Sequence, residues 1–273
     1  MPAVHPIEWL RAVARSGDVP HTQLAAEAAG ALAAMADEPH GLLPACRRLI
    51  DRNPASGALW WTCARLLDAS DPGAESVAVQ RDLESDQVGL SLALDLPDDA
   101  TVVVLGWSGL AGEINARRGD VRMLVVAEES PPRRSAGRRR PWGFAEDDLD
   151  VDDDLAVTVV PPLGVGSAVM GANLLLVDAW AAGDNELVAA PGTLPALAVA
   201  ARMGTPVWVT VSVGRRLPSP LFKALSDRVF HDPDVEPWDA GADILDLNDL
   251  DLTVVEPLEI PCPAPPELLR RTT

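Results

Sequence analysis

Apolar residues recur three and four positions apart in IEWLRAVARS (7–16), TQLAAEAAGALAAMAD (22–37) and GLLPACRRLIDR (41–52), the period of helices that bury one face. Each run ends at a Gly, Pro or Asp cluster, as helices do. Thr22 stands where an N-cap for the second run belongs. Residues 71–99 read either as a kinked helix or as a short strand followed by a helix, and the spacing leans to helix. The first 98 residues are therefore expected to form a helical domain.

After Asp99 the pattern changes to short, continuously apolar runs: TVVVLG (101–106), VRMLVVAEE (121–129), LAVTVV (155–160), NLLLVDA (173–179), TPVWVTVSV (205–213) and LTVVEP (252–257). Continuous apolarity marks strands covered on both faces, and LAGEINARRG, GSAVMG and TLPALAVAARMG between them suit crossover helices. The fold class predicted is α/β, with residues 99–273 forming a doubly wound parallel sheet. Such sheets bind ligands at the carboxyl ends of their strands. That directs attention to 106–109, 128–134, 161–167, 178–193 and 213–216, and above all to NLLLVDAWAAGDNELVAAPGT (173–193), a buried strand running into a cleft loop.

The formal charge of −19 argues against nucleic acid or an anionic membrane as partner, because neutralising phosphates needs a basic face. No apolar run approaches the roughly 20 residues of a membrane span, and MPAVHPIEW lacks the order of a signal peptide, so a cytoplasmic location is expected. Cys46, Cys63 and Cys262 are too few and too scattered for a disulfide framework or a zinc site. EDDLDVDDDL (146–155) lacks the glycine and closing glutamate of a calcium loop. Neither a metal nor a cofactor is expected. The basic stretch PPRRSAGRRRP (131–141) and its acidic neighbour read as solvated loops.

LGVGSAVMG lacks the full spacing of a dinucleotide fingerprint, and LGWSGLAG is similar to a nucleophile elbow without a matching His; His231 reads as a loop residue. Ser108 and Gly109 open a helix after a strand, which suits either an anionic oxygen or simple capping. Asp178 ends an almost wholly apolar strand, as a ligand-facing carboxylate or as a structural one bonded to the next loop. Gly192 and Thr193 open another helix at the same cleft, where Thr193 is a cap before it is a ligand.

In this order these landmarks resemble the family of the translation initiation factor 2B alpha, beta and delta subunits, which includes methylthioribose-1-phosphate isomerase and ribose-1,5-bisphosphate isomerase. The likeness spans residues 45–270. It rests on RNPASGALWWTCARLL (52–67), TVVVLGWSG, LVVAEESPP (124–132), the block from Val165 to Val209 and the tail EPLEIPCPAPPELL (256–269). It implies an amino-terminal helical domain, a Rossmann-like domain of the ribose-phosphate isomerase and CoA-transferase type, and association as a homodimer or with related subunits. It also implies a phosphorylated sugar or nucleotide as ligand.

In the isomerases a cysteine and an aspartate act on the sugar. Asp178 matches the aspartate, whereas Gly106, Trp107 and Ser108 occupy the cysteine loop. Ala189, Ala190 and Pro191 replace the family's Asn-Lys, removing contacts that contribute on the order of 1.5–3 kcal/mol each. The resemblance thus implies a non-catalytic regulatory or ligand-sensing protein, in which Trp107, Ser108, Gly109, Glu128, Gly192, Thr193 and Arg215 line the site. The alternative is a sugar-phosphate isomerase using Asp178 with Ser108 or Glu128.

Overall fold

The computed structural model describes residues 20–35, 39–127, 157–230, 236, 239, 241–248, 250–257 and 260–269. The expected helix over 7–16, the charged loops over 131–155, Glu128 and His231 lie outside the described residues. Among the described residues four helices come first: α1 (His21–Ala33), α2 (Pro39–Arg52), α3 (Gly57–Asp68) and α4 (Pro72–Glu84). The ambiguous 71–99 segment is two helices, α4 and α5 (Val88–Asp95), not a strand and a helix. Asp71 caps α4 through Ala74 N (3.0 Å) with Pro72 at the first turn, and Asp86 accepts from Val88 N (3.0 Å) to start α5. Thr22 is not the N-cap of α1. Pro20 is, its carbonyl accepting from Leu24 N at 2.9 Å, and Thr22 is the second residue of the helix, its hydroxyl turned toward Arg215.

All six expected strands form: β1 (Thr101–Leu105), β2 (Arg122–Val126), β3 (Val157–Val160), β4 (Leu174–Asp178), β7 (Val207–Thr210) and β9 (Thr253–Val255). They make one parallel sheet in the order β3-β2-β1-β4-β7-β9. The chain reverses direction of winding between β1 and β4, which puts the switch-point crevice beyond their carboxyl ends. The helices α6 (Gly109–Arg117), α7 (Val165–Met170) and α8 (Thr193–Met203) are the crossovers.

Alternation along the strands sorts the core into two faces. Val102, Val104, Met123, Val125, Leu174 and Leu176 pack on α5 and α6, while Val103, Leu105, Leu175, Val177 and Val209 pack on α7 and α8.

A second sheet was not anticipated. β5 (Ala181–Ala182), β6 (Glu186–Ala189) and β8 (Asp243–Asp246) are antiparallel, so half of the presumed cleft loop is a hairpin. Its turn, Gly183-Asp184-Asn185, closes with Gly183 N bonded to Glu186 O at 2.8 Å. A two-residue strand is too short to show a period, which is why the apolar pattern passed over it. The helical layer buries Trp60, Trp61, Leu32, Leu49 and Ile50 against β5, β6, α9 (Ser219–Phe230) and α10 (Pro266–Leu269).

One backbone contact ties this layer to the sheet. Gly57 N, at the start of α3, donates to Trp180 O just beyond β4 at 2.9 Å, and a Cβ on Gly57 would lie 2.7 Å from that carbonyl. Gly57→Ala forces α3 away from the sheet. It is expected to lower unfolding free energy by about 1–3 kcal/mol, read from urea midpoints at constant slope.

Candidate functional site

Asp178 ends β4, and the parallel register places Thr210 of β7 directly beside it. The Asp178 side chain is buried, at 8% exposure, among groups that use its oxygens. Oδ1 accepts from Arg215 Nη1 at 2.5 Å and from Thr210 Oγ1 at 3.2 Å; Oδ2 accepts from Ser108 Oγ at 2.8 Å. Arg215, itself 5% exposed, also donates to Ala179 O at 2.6 Å and reaches Thr22 Oγ1 at 3.4 Å. Three of a carboxylate's roughly four acceptor positions are therefore filled from within the chain. The charge that an apolar strand end cannot carry alone is balanced by the guanidinium.

The first turn of α1 stands over this pair. The His21 ring lies 4.9 Å from the Trp180 ring, and Pro20 is the nearest neighbour of the position a Cβ on Gly109 would take, at 3.9 Å. Burial, and then the positive charge of Arg215, push the His21 pKa down to about 3, so the ring is neutral. Its Nδ1 and the Nε of Arg215 are buried without a hydrogen-bond partner. On α6, burial and the nearby carboxylates of Asp86 and Asp178 raise Glu113 above the usual carboxylate range, against the opposing pull of Arg117.

No family model matches the chain, and no curated protein matches it in sequence. Solved structures do match in shape. A translation initiation factor eIF-2B from Pyrococcus horikoshii OT3 superposes with a TM-score of 0.61 at 16% identity, over 79% of this chain and 81% of that one. A chain of the tetrameric eIF2B-beta2-delta2 complex from C. thermophilum gives 0.64 at 14% identity, over 92% and 87%. A 5-methylthioribose 1-phosphate isomerase from P. horikoshii OT3 gives 0.56 at 16% identity, over 88% and 80%. The chain has the initiation factor 2B fold.

Within the initiation factor 2B fold, the residues expected from sequence separate into two groups. Ser108, Asp178 and Arg215 meet. Ser108 is also the N-cap of α6, accepting from Leu110 N at 3.2 Å, with Gly109 as the first helical residue and Trp107 partly exposed beside them. Gly192 and Thr193 do a different job. Gly192 holds φ 90° to start α8, a left-handed conformation that glycine adopts without strain. Thr193, almost fully buried, turns its hydroxyl back to Ala190 O at 2.5 Å, and the Asp243 carboxylate caps the helix through Leu194 N at 2.8 Å. That N-terminus is already occupied by the chain's own carboxylate.

Arg216, next to Arg215, pairs with Glu256 at 2.6 Å and with Gly183 O at 2.7 Å. His21, Thr22, Trp180 and Thr210 escaped the sequence reading. Thr210 was within reach, because aligning the ends of neighbouring parallel strands sets TPVWVT against NLLLVD.

A groove lined by Leu197, Gly204, Pro206, Trp208 and Leu252 lies at the amino ends of β7 and β9, away from Asp178. Asp251 is the one ionisable side chain on its lining. No described helix is long and apolar enough to cross a membrane, and no metal-binding cluster occurs among the described residues.

Two measurements test the electrostatics. Arg215→Met leaves a buried carboxylate unpaired and is expected to cost about 3–5 kcal/mol, whereas Asp178→Asn combined with Arg215→Met recovers most of it, which a double-mutant cycle in urea reads directly. The folded state prefers neutral His21, so its contribution is complete above the unfolded value of 6.5 and is lost as pH falls toward about 3. Between pH 7 and pH 5, His21→Gln should lose on the order of 2 kcal/mol less than the parent chain.

Proposed function

We propose that this chain is a non-catalytic member of the initiation factor 2B and sugar-phosphate isomerase family, acting in regulation by association with a second copy or with related subunits. The observation that carries the reading is the Asp178 carboxylate, engaged by Arg215, Ser108 and Thr210. Moving a proton between two sugar carbons needs a base with a free lone pair and an acid opposite it. Here three of the roughly four acceptor positions of Asp178 are taken by groups of the chain itself, which suits the carboxylate to holding structure rather than to proton transfer.

The cysteines support the same reading. Cys46 and Cys63 are buried in the helical layer, and burial raises Cys262 to about 12. Both arginines suited to a phosphate are spent on carboxylates. The matched complex is a tetramer of beta and delta subunits, which makes association the natural use of an unreactive copy of the fold.

Purified protein is expected to convert neither methylthioribose 1-phosphate nor ribose 1,5-bisphosphate to its ketose, followed by proton NMR. Turnover that Asp178→Asn abolishes would replace this reading with the isomerase one. A melting-temperature screen with the same sugars and with nucleotides separates ligand sensing, seen as a shift, from association alone, seen as none.

A further inference from the structure

Cys46 and Cys63 stand 17 positions apart in the chain, but the helical layer brings them together. The four residues 53–56 join α2 to α3, and a connection that short sets neighbouring helices antiparallel. It is closed by Asn53 N on Leu49 O at 3.1 Å and Ser56 N on Asn53 O at 3.2 Å. Cys46 lies six residues before the end of α2, and Cys63 six residues after the start of α3. With a rise of about 1.5 Å per residue, both stand at the same height along the hairpin.

Both also face inward. The buried stripe of α2 is Leu42, Ala45, Cys46, Leu49 and Ile50, with Cys46 at its middle, and neither cysteine has any exposed surface. The two thiols are hydrogen-bonded to each other, and that bond, together with burial, holds the Cys63 proton well above the usual thiol range. Cys262 is placed differently: it packs at the edge of the same core and donates to the Pro263 carbonyl at 3.5 Å.

A lone buried cysteine is a small apolar residue. Two that already touch need only draw their sulfurs in to about 2.05 Å to become a disulfide. A way in for a small oxidant is built into α2. Pro44, inside that helix, has no N–H for the His40 carbonyl, so the turn leading to Cys46 is held by fewer bonds and opens more readily.

We infer that Cys46 and Cys63 are a reversible redox pair, which hydrogen peroxide oxidises to a disulfide fastening α2 to α3. One thiol gives up its proton, and its sulfur attacks a peroxide oxygen; the O–O bond breaks, leaving a sulfenic acid and one water. The second sulfur attacks the sulfenic sulfur, and the hydroxyl leaves with the second proton as another water. Two thiols lose two electrons, and the peroxide takes them. External thiols reverse the reaction by exchange. The cross-link acts on the helix that joins this layer to the sheet through Gly57 N and Trp180 O, and closing a loop of this length raises the folding constant on the order of a hundredfold.

The test exposes the reduced full chain to hydrogen peroxide, blocks the remaining thiols in urea and cuts with trypsin, which separates the two cysteines at Arg48 and Arg52. The Cys46 and Cys63 peptides are expected joined, two hydrogens lighter than their sum, with Cys262 recovered as a blocked thiol. The urea midpoint of the oxidised chain should rise by the equivalent of about a hundredfold in the folding constant, and dithiothreitol should return it. Cys46→Ala and Cys63→Ala should each lose the joined peptide and the shift, whereas Cys262→Ala keeps both. The peptide map of the parent chain decides the matter even where a substitution weakens the core. Recovery of Cys46 and Cys63 as free thiols or as unlinked sulfinic acids overturns the pair, as does a link that forms only in the unfolded chain or one made to Cys262. A joined peptide with no change of midpoint overturns the fastening of α2 to α3.

Discussion

The buried pair of Asp178 and Arg215 is the constraint around which the carboxyl edge of the sheet is arranged. A carboxylate at the end of an apolar strand and a guanidinium at 5% exposure are each costly to desolvate alone. Together, at 2.5 Å, they require the loop after β7 to fold back over β4, and they draw in Ser108 from α6, Thr210 from β7 and Thr22 from α1. Such a pair adds little net stability compared with apolar residues of the same size. Breaking one half is expensive, so the geometry is locked rather than strengthened.

The locking explains which parts of the site could be read from the sequence. Strand positions were legible because a parallel sheet buries both faces, and TVVVL, RMLVV and LLLVD allow no other use. Asp178 was legible as the polar end of such a strand. The orientation of Arg215 was not, since an arginine in a loop after a strand looks the same whether it points at a ligand or at a neighbouring carboxylate. His21 and Thr22 were hidden for a different reason: they lie about 155 residues before Asp178, and nothing local marks a helix start as the cover of a distant strand. The hairpin within 181–189 had a turn signal in Gly183-Asp184-Asn185, but Ala181-Ala182 carries no strand pattern of its own.

At 14–16% identity the matched structures establish an architecture, one shared by an isomerase and by initiation factor subunits, so any reaction has to be argued from the side chains. At the carboxyl ends of β4 and β7 the polar side chains of this chain bond one another, Asp178 with Arg215, Ser108 and Thr210. Charge is apportioned in the same spirit over the surface. Acidic residues crowd most of the sequence, and the helices α7 and α8 are left nearly free of them.

The position of α1 gives this division its energetic sense. A ligand that took the place of Arg215 at Asp178 would also release Thr22. Thr22 belongs to the first turn of a helix whose Leu24, Ala25, Ala28, Ala29 and Leu32 are buried, and burial of each leucine alone contributes about 1.5–3 kcal/mol. Opening the crevice therefore disturbs the joint between the helical layer and the sheet.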